Sequence, residues 1–203
     1  MIFYEPHARD ETILPHDPFK SLVAPRPIGW ISTTDSAGRV NLAPYSFFNA
    51  VAEGPHMLAF SSRGAKDSST FANEIQEFVW NLVTYELREQ MNETSAALPR
   101  GMSEFERAGL EMAPSRLVAP PRVAASPCSM ECKVVHHLEL RDLSGATFDQ
   151  HLVIGQVVGI HLADAAVVDS AVDTASLRPV ARCGGPGDYA VVERLFQMLR
   201  PSS

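Results

Sequence analysis

The sequence is poor in cysteine, in positive charge and in long apolar runs. Three cysteines in 203 residues are too few for a disulfide scaffold and suit a reducing compartment. Cys128 and Cys132 lie in an alternating, strand-like stretch, where four residues at ~3.3 Å each hold them ~13 Å apart. A disulfide needs Cα atoms within about 7 Å, so both read as small core side chains. Lys and Arg number 17 against 24 Asp and Glu, a net charge of −7. With no basic field to gather phosphates over a broad surface, nucleic-acid and anionic-membrane partners are excluded, and any anion must be held locally. No stretch approaches the ~18 uninterrupted apolar residues of a membrane span. MIFYEPHARDET lacks the basic and apolar regions of an export signal, so a cytoplasmic protein is expected.

Other absences concern chemistry. No G-x-G-x-x-G follows a strand-like run and no Walker loop is present, which removes Rossmann and P-loop nucleotide sites. There is no Gly-x-Ser-x-Gly elbow to mark a hydrolytic triad. His136 and His137 are neighbours on a strand and point to opposite faces, while His151 and His161 lie at opposite ends of another. With no H-x-x-x-H or C-x-x-C spacing, no metal site is expected.

What is present is an ordinary globular composition, 45% apolar and 20% charged, long enough for one domain with a substantial core. Residues 1–25 carry scattered apolar anchors and four prolines, which suggests an arm packed over a domain that spans residues 26–200. IGWISTT and RVNLAPY flank the turn Asp35-Ser36-Ala37-Gly38 and predict a hairpin. MLAFSS and EFVWNLVTY predict further strands. Between them KDSSTFANEI predicts a short helix capped by Asp67 or Ser68. Residues 86–98 predict a helix stopped by Pro99. Ser103 and Glu106 suggest a capping box for a second short helix that Gly109 ends. From Cys128 the alternation is clearest, with Cys128, Met130, Cys132, Val134, His136, Leu138 and Leu140 on one face. Glu131, Lys133, His137 and Glu139 fall on the other, wet face. HLVIGQVVGIHLA predicts a second long strand, and YAVVERLFQML a last amphipathic stretch after the Gly184 to Gly187 loop. Strands joined by short turns, with helices inserted rather than alternating, imply an antiparallel β-barrel or sandwich with a few helices.

One segment concentrates ligand chemistry, residues 41–70. Its loop SSRGAKDSST supplies Ser61, Ser62 and Ser68 hydroxyls, the cations Arg63 and Lys66, and free amides at a helix start, the donors a phosphate needs. The same string also reads as a solvated loop in which Asp67 and Ser68 only cap a helix. PYSFFN supplies Ser46 and Asn49 for the edge of a uracil-like ring and Phe47 or Phe48 for its face. Equally, both phenylalanines can be strand residues, one pointing inward and one outward.

The blocks RPIGWIST, NLAPYSFFNAV, SS-x₃-KDSS, EFVWNLV, EFERAGL, PCSMECKV, LVIGQVVGIHL and ARCGGPGDY resemble, in consistent order over residues 20–200, the flavin reductase-like family of FMN-binding split barrels. That family includes reductase components of two-component monooxygenases and flavoredoxins. The resemblance implies a mainly β fold with inserted helices, an antiparallel six-stranded Greek-key split barrel, forming a homodimer with FMN near the interface. It implies that Asn41 to Ser46 and on to Asn49 line the isoalloxazine, and that Ser61, Ser62, Lys66, Asp67 and Ser68 hold the phosphate. Ser68 stands where the family usually has threonine and keeps the hydroxyl. Trp30, Ser32 and Thr33 are expected to reach the ring or ribityl chain, and His151 to face the nicotinamide side.

The implied activity is hydride transfer from NAD(P)H to FMN, with electrons passed on to a monooxygenase or other acceptor. Orientation and solvent exclusion suffice for such chemistry, and no general acid or base is expected. The alternatives are a non-enzymatic FMN electron carrier or flavin-dependent sensor, and a split barrel that has lost its flavin and uses the groove for a partner.

Overall fold

A computed structural model describes residues 1–99 and 102–201. In chain order its elements are α1 (Phe19–Leu22), β1 (Arg26–Pro27), β2 (Gly29–Thr34), β3 (Val40–Tyr45), β4 (Phe48–Glu53), β5 (His56–Arg63), α2 (Asp67–Ile75), β6 (Glu77–Asn81), α3 (Arg88–Glu93) and α4 (Glu104–Arg107). They continue as β7 (Met112–Ala113), β8 (Arg122–Val123), β9 (Cys128–Arg141), β10 (Thr147–Leu162), β11 (Val167–Val168), β12 (Ala171–Val172), α5 (Thr174–Leu177), β13 (Val180–Arg182) and β14 (Tyr189–Val191).

The organising feature is one antiparallel sheet in the order β3-β2-β6-β9-β10-β5-β4. It counts seven strands where six are expected, because the chain reverses at Ser46 and Phe47 and lays β4 beside β5 as a further edge. The sheet curls on itself. Tyr45, on one edge strand, packs at 5.0 Å between ring centroids against Phe60, one strand in from the other edge.

Curling makes two apolar compartments. Inside lie Ile31, Tyr45, Leu58, Phe60, Phe78, Cys132 and Val153, closed by Ala72 of α2. Outside β2 and β3, Trp30, Leu42, Val83, Met91, Phe105 and Val180 form a second cluster under α3, α4 and β13. Each large side chain so buried contributes ~1.5–3 kcal/mol. Strict alternation along β2 divides its residues between the two compartments. Gly155 belongs to the first for a steric reason, since a Cβ there would lie 2.3 Å from Phe78.

The expected hairpin forms, with Gly38 at φ +78° closing its turn. The helix after Lys66 forms one residue earlier than a cap at Asp67 allows and two earlier than one at Ser68: Lys66 is its N-cap and Asp67 its first residue. The predicted helix over residues 86–98 is shorter, a 3-10 turn over Tyr85–Leu87 followed by α3. The capping box at Ser103 does not form; its hydroxyl has no partner among the described residues, and the carboxylate of Glu104 turns inward to accept Leu42 N–H at 3.1 Å. After Tyr189–Val191 the last stretch has no regular structure, and Leu195, Phe196, Met198 and Leu199 are exposed.

β9 departs most from its predicted pattern. Glu131 is fully buried, because the segment at residues 116–118 crosses over it and donates the Arg116, Leu117 and Val118 amides to its carboxylate. Beyond Val134 a register shift against β10 inverts the alternation. His137 then turns inward onto His151, at 5.5 Å between ring centroids, while His136 is exposed.

None of residues 1–25 is buried, and only α1 and a single 3-10 turn over Pro6–Ala8 are regular there. Arg26 ties this segment down: its guanidinium donates to the Lys20 and Val23 carbonyls at 2.5 Å each and to the Cys183 carbonyl at 3.0 Å. Among the described residues no helix is long and apolar enough to cross a membrane.

Candidate functional site

The pairing of β2 with β3 places Asn41, Ala43 and Tyr45 on one face, opposite Thr33, Ile31 and Gly29. α2 starts beside that face. Asn41 Nδ2 donates to Ser68 Oγ at 2.6 Å, which fixes the first turn of α2 to the strand. The Tyr45 hydroxyl meets the Ser68 and Ser62 hydroxyls. Burial pushes that phenol above its usual range; the two serines oppose the shift, and the nearby Glu104 and Asp67 charges add to it. Tyr45 therefore stays a neutral hydrogen-bonding group at physiological pH.

Against this face lies a cavity of about 380 Å³, walled by Asn41 and Tyr45, by Lys66, Asp67 and Ser68 at the helix start, by residues 94–98, and by Glu104. The start of α2 carries no side-chain cap, so its first amides and the Lys66 ammonium are available as donors at the rim. Glu104 faces the same space. Burial raises its carboxyl above the usual range; its own amide and that of Leu42 oppose the shift, and the Asp67 charge adds to it.

A second cavity, of about 610 Å³, abuts the first along the end of β3, with Pro44 and Ser95 common to both. It runs past Ser46 to Tyr85, Arg88, Arg182 and Tyr189. Together they form a groove with a donor-rich end at α2 and a flatter end beside the Ser46 turn.

The expected site residues divide accordingly. Lys66, Asp67, Ser68 and Ser46 line the groove. Ser62 stands behind it, against Tyr45, and Ser61 accepts Gln150 Nε2 at 2.5 Å. Arg63 is exposed at the end of β5, where Gly64 turns the chain at φ +79°. Phe47 is 40% exposed with the Arg26 guanidinium 5.9 Å from its ring. Phe48 stacks on Trp80 at 6.0 Å as part of the barrel packing. Asn49 is exposed, and its side chain accepts the Ala50 amide.

Trp30 does not reach the groove. It is wholly buried in the outer compartment and its indole N–H donates to Thr94 Oγ1 at 2.9 Å, because alternation points it away from Ile31 and Thr33. Ser32, on the same side as Trp30, donates to the Pro121 carbonyl. Thr33 is wholly buried, and its hydroxyl has no partner among the described residues. His151 pairs across from Ser62, stacks on His137 and lines neither cavity. Among the described residues no three His, Cys, Asp or Glu side chains gather as metal ligands.

Sequence reasoning missed the wall opposite β3. Residues 94–98 follow a short helix and carry no motif. Glu104 looked like the first turn of a capped surface helix. Arg182 and Tyr189 come from the ARCGGPGDY block, whose glycines signal a tight loop without revealing what it faces.

A family model, that of the flavin reductase-like domain, matches residues 22–174. An uncharacterized protein of Deinococcus radiodurans is 37% identical over 190 residues, covering 88% of this chain and 81% of that protein. The crystal structure of nitrilotriacetate monooxygenase component B from Bacillus cereus superposes with a TM-score of 0.88 at 29% identity, over 98% of each chain. A split-barrel flavin reductase candidate from Shewanella frigidimarina superposes with a TM-score of 0.80 at 25% identity, over 90% of each chain.

Proposed function

We propose a function from one premise: this chain belongs to the flavin reductase-like family. It is a flavin oxidoreductase that holds FMN in the groove along β3. The carrying observation is the uncapped start of α2, where Lys66 and Ser68 meet a cavity continuous with the Ser46 turn. A monophosphate suits that end: one ammonium, one helix start and the Ser68 hydroxyl supply converging donors. Arg63 adds a further cation from the end of β5. The Pro44 to Ser46 turn offers backbone and hydroxyl groups to the ring edge, with exposed Phe47 beside it.

Held by Lys66, Ser68 and the Ser46 turn, FMN would supply the hydride-accepting and electron-releasing chemistry that links a reduced nicotinamide to an acceptor. The chain's part is to bind, orient and exclude water. Asn41 and Tyr45 hold Ser68 in place from beneath, and Ser62 supports Tyr45 from β5. Phe48 stacked on Trp80 keeps the Ser46 turn rigid. No side chain needs to transfer a proton for hydride to move, and none is assigned that role.

The chain acts as a homodimer. Val51 on edge strand β4 and Ile160 and Leu162 on β10 are exposed apolar residues, and a third, mostly apolar cavity of about 320 Å³ opens between β4 and β10. Water-exposed surface of this kind is what a symmetric partner covers. The electrons pass to a separate monooxygenase or other acceptor, the division of labour that the Bacillus cereus component B carries in its name.

Anaerobic mixing of the FMN-loaded protein with NADH and with NADPH tests this reading. Bleaching of the flavin absorbance by either is expected. A flavin that stays oxidised over minutes with both would make the protein a carrier or sensor, and a protein that binds no FMN would end the reading.

A further inference from the structure

The second cavity carries more chemistry than a flavin ring uses. Beyond Ser46 it is bounded by two arginines, each held flat on a tyrosine: the Arg88 guanidinium lies 4.0 Å from the Tyr85 ring centroid and the Arg182 guanidinium 4.6 Å from that of Tyr189. A third arginine, Arg178, also stacks on Tyr85, at 4.5 Å, but its charge is taken by Glu86 and Glu193 at 2.6 and 2.7 Å. The first two differ. Arg182 contacts only loop carbonyls, those of Gly185, Pro186 and Asp188, and has no carboxylate partner among the described residues. Arg88 donates to the Tyr85 carbonyl at 2.8 Å and meets Glu89, itself on the cavity wall, at 3.3 Å in an exposed pair. The wall therefore keeps a positive balance, and Arg88 Nη2 and Arg182 Nε have no protein partner among the described residues.

Stacking fixes the plane of each guanidinium and leaves its edge for a ligand. Two such edges across one cavity recognise an anion with charge at two points, and Tyr189, 43% exposed, offers a flat surface to a base. The volume of about 610 Å³ lies within the ~300–1,000 Å³ range of small-molecule sites. We propose that this cavity binds an adenosine diphosphate group, its phosphates between Arg88 and Arg182 and its purine against Tyr189. As a place for the non-reacting half of the reductant, the assignment rests on the flavin reading above; as a nucleotide site it stands by itself. It also explains the Gly-rich loop before Tyr189, which presents its carbonyls to Arg182 and aims it.

The test is calorimetric titration of the FMN-loaded protein with ADP and with adenosine. ADP is expected to bind, and Arg88→Gln and Arg182→Gln each to weaken it about tenfold while changing adenosine affinity less than twofold. Loss of a fold would weaken both ligands together, and FMN affinity of each variant checks this independently. Arg88→Gln leaves the loop contacts of Arg182 in place and keeps the test valid should Arg182→Gln misfold. No ADP binding at millimolar concentration, or binding that neither variant weakens, overturns the proposal.

Steady-state arms separate the sources of the group. If the site serves the reductant, Arg88→Gln raises KM for the dinucleotide but not for reduced nicotinamide mononucleotide, which lacks the adenosine half. If it serves a free nucleotide, both KM values stay unchanged while ADP binding falls. FMN binding without ADP binding sinks this proposal alone, and ADP binding without FMN binding sinks the flavin reading alone.

Discussion

Two carboxylates on different sides of the barrel, Glu131 and Glu104, are both removed from water, and their surroundings are opposites. Around Glu131 the chain is closed. Its oxygens accept the Arg116, Leu117 and Val118 amides and meet His161 Nε2. Burial pushes this carboxyl up, but the His161 hydrogen bond and the amides outweigh burial and hold it below the usual carboxylate range. Around Glu104 the chain is open. Two amides face it, its own and that of Leu42, the Asp67 charge lies nearby, and burial outweighs the amides and leaves the carboxyl raised on the wall of a cavity. A satisfied buried charge marks a structural strut; an undersatisfied one beside empty space marks a place where a ligand completes the surroundings.

Breaking the strut gives the largest effect. Glu131→Ala orphans three amides and leaves His161 without its acceptor, so stability falls by about 3 kcal/mol, or roughly 6–12 °C in melting temperature for a chain of this size. Thermal melts check this, and FMN affinity of the folded fraction is expected to hold within twofold. A variant that melts like the wild type would show the segment at residues 116–118 to be held by something else.

The pH dependence of stability sharpens the contrast. Glu131 has a folded value below its unfolded one, so its stabilisation is full above about pH 4.3 and is lost as pH falls through the lower folded value. Glu104 works in the other direction: its raised value favours the folded state at low pH, and that advantage disappears as pH rises through it. Denaturant melts across this range should show Glu131→Gln removing the acid-side loss and Glu104→Gln removing the opposite slope. Equal slopes in both variants would break the comparison.

The smallest effect is on binding. Glu104→Gln keeps an acceptor for the Leu42 amide and removes a negative charge from the cavity, so FMN affinity should rise about twofold. Fluorescence quenching on FMN titration measures it. A loss of affinity would mean that the carboxylate contacts the ligand.

These carboxylates also show what was legible in the residues alone. The hairpin from β2 to β3 announced itself through turn chemistry at Asp35 to Gly38, and β9 and β10 through sustained alternation, because both signals are local. Glu131 read as a solvated residue on the wet face of β9, since the strap that buries it comes from a proline-rich stretch with no periodicity. His137 read as outward because a one-residue register shift inverts every side chain beyond it, and nothing near Val135 announces the bulge. Lys66, Ser68 and Ser46 drew notice as candidate ligand groups by local composition, and Asp67 through the family resemblance; all four line the groove. Trp30 was misplaced and Glu104 overlooked because which face of a strand or helix meets a cavity depends on elements distant in the chain.

The central claim is that the start of α2 holds a phosphate and the Ser46 turn holds a ring. Lys66→Ala, titrated with FMN and with riboflavin under the same conditions, tests it most directly, since the two ligands differ only in the phosphate. FMN affinity is predicted to fall about tenfold with riboflavin affinity unchanged within twofold. Equal losses for both, or no loss for FMN, would contradict the account.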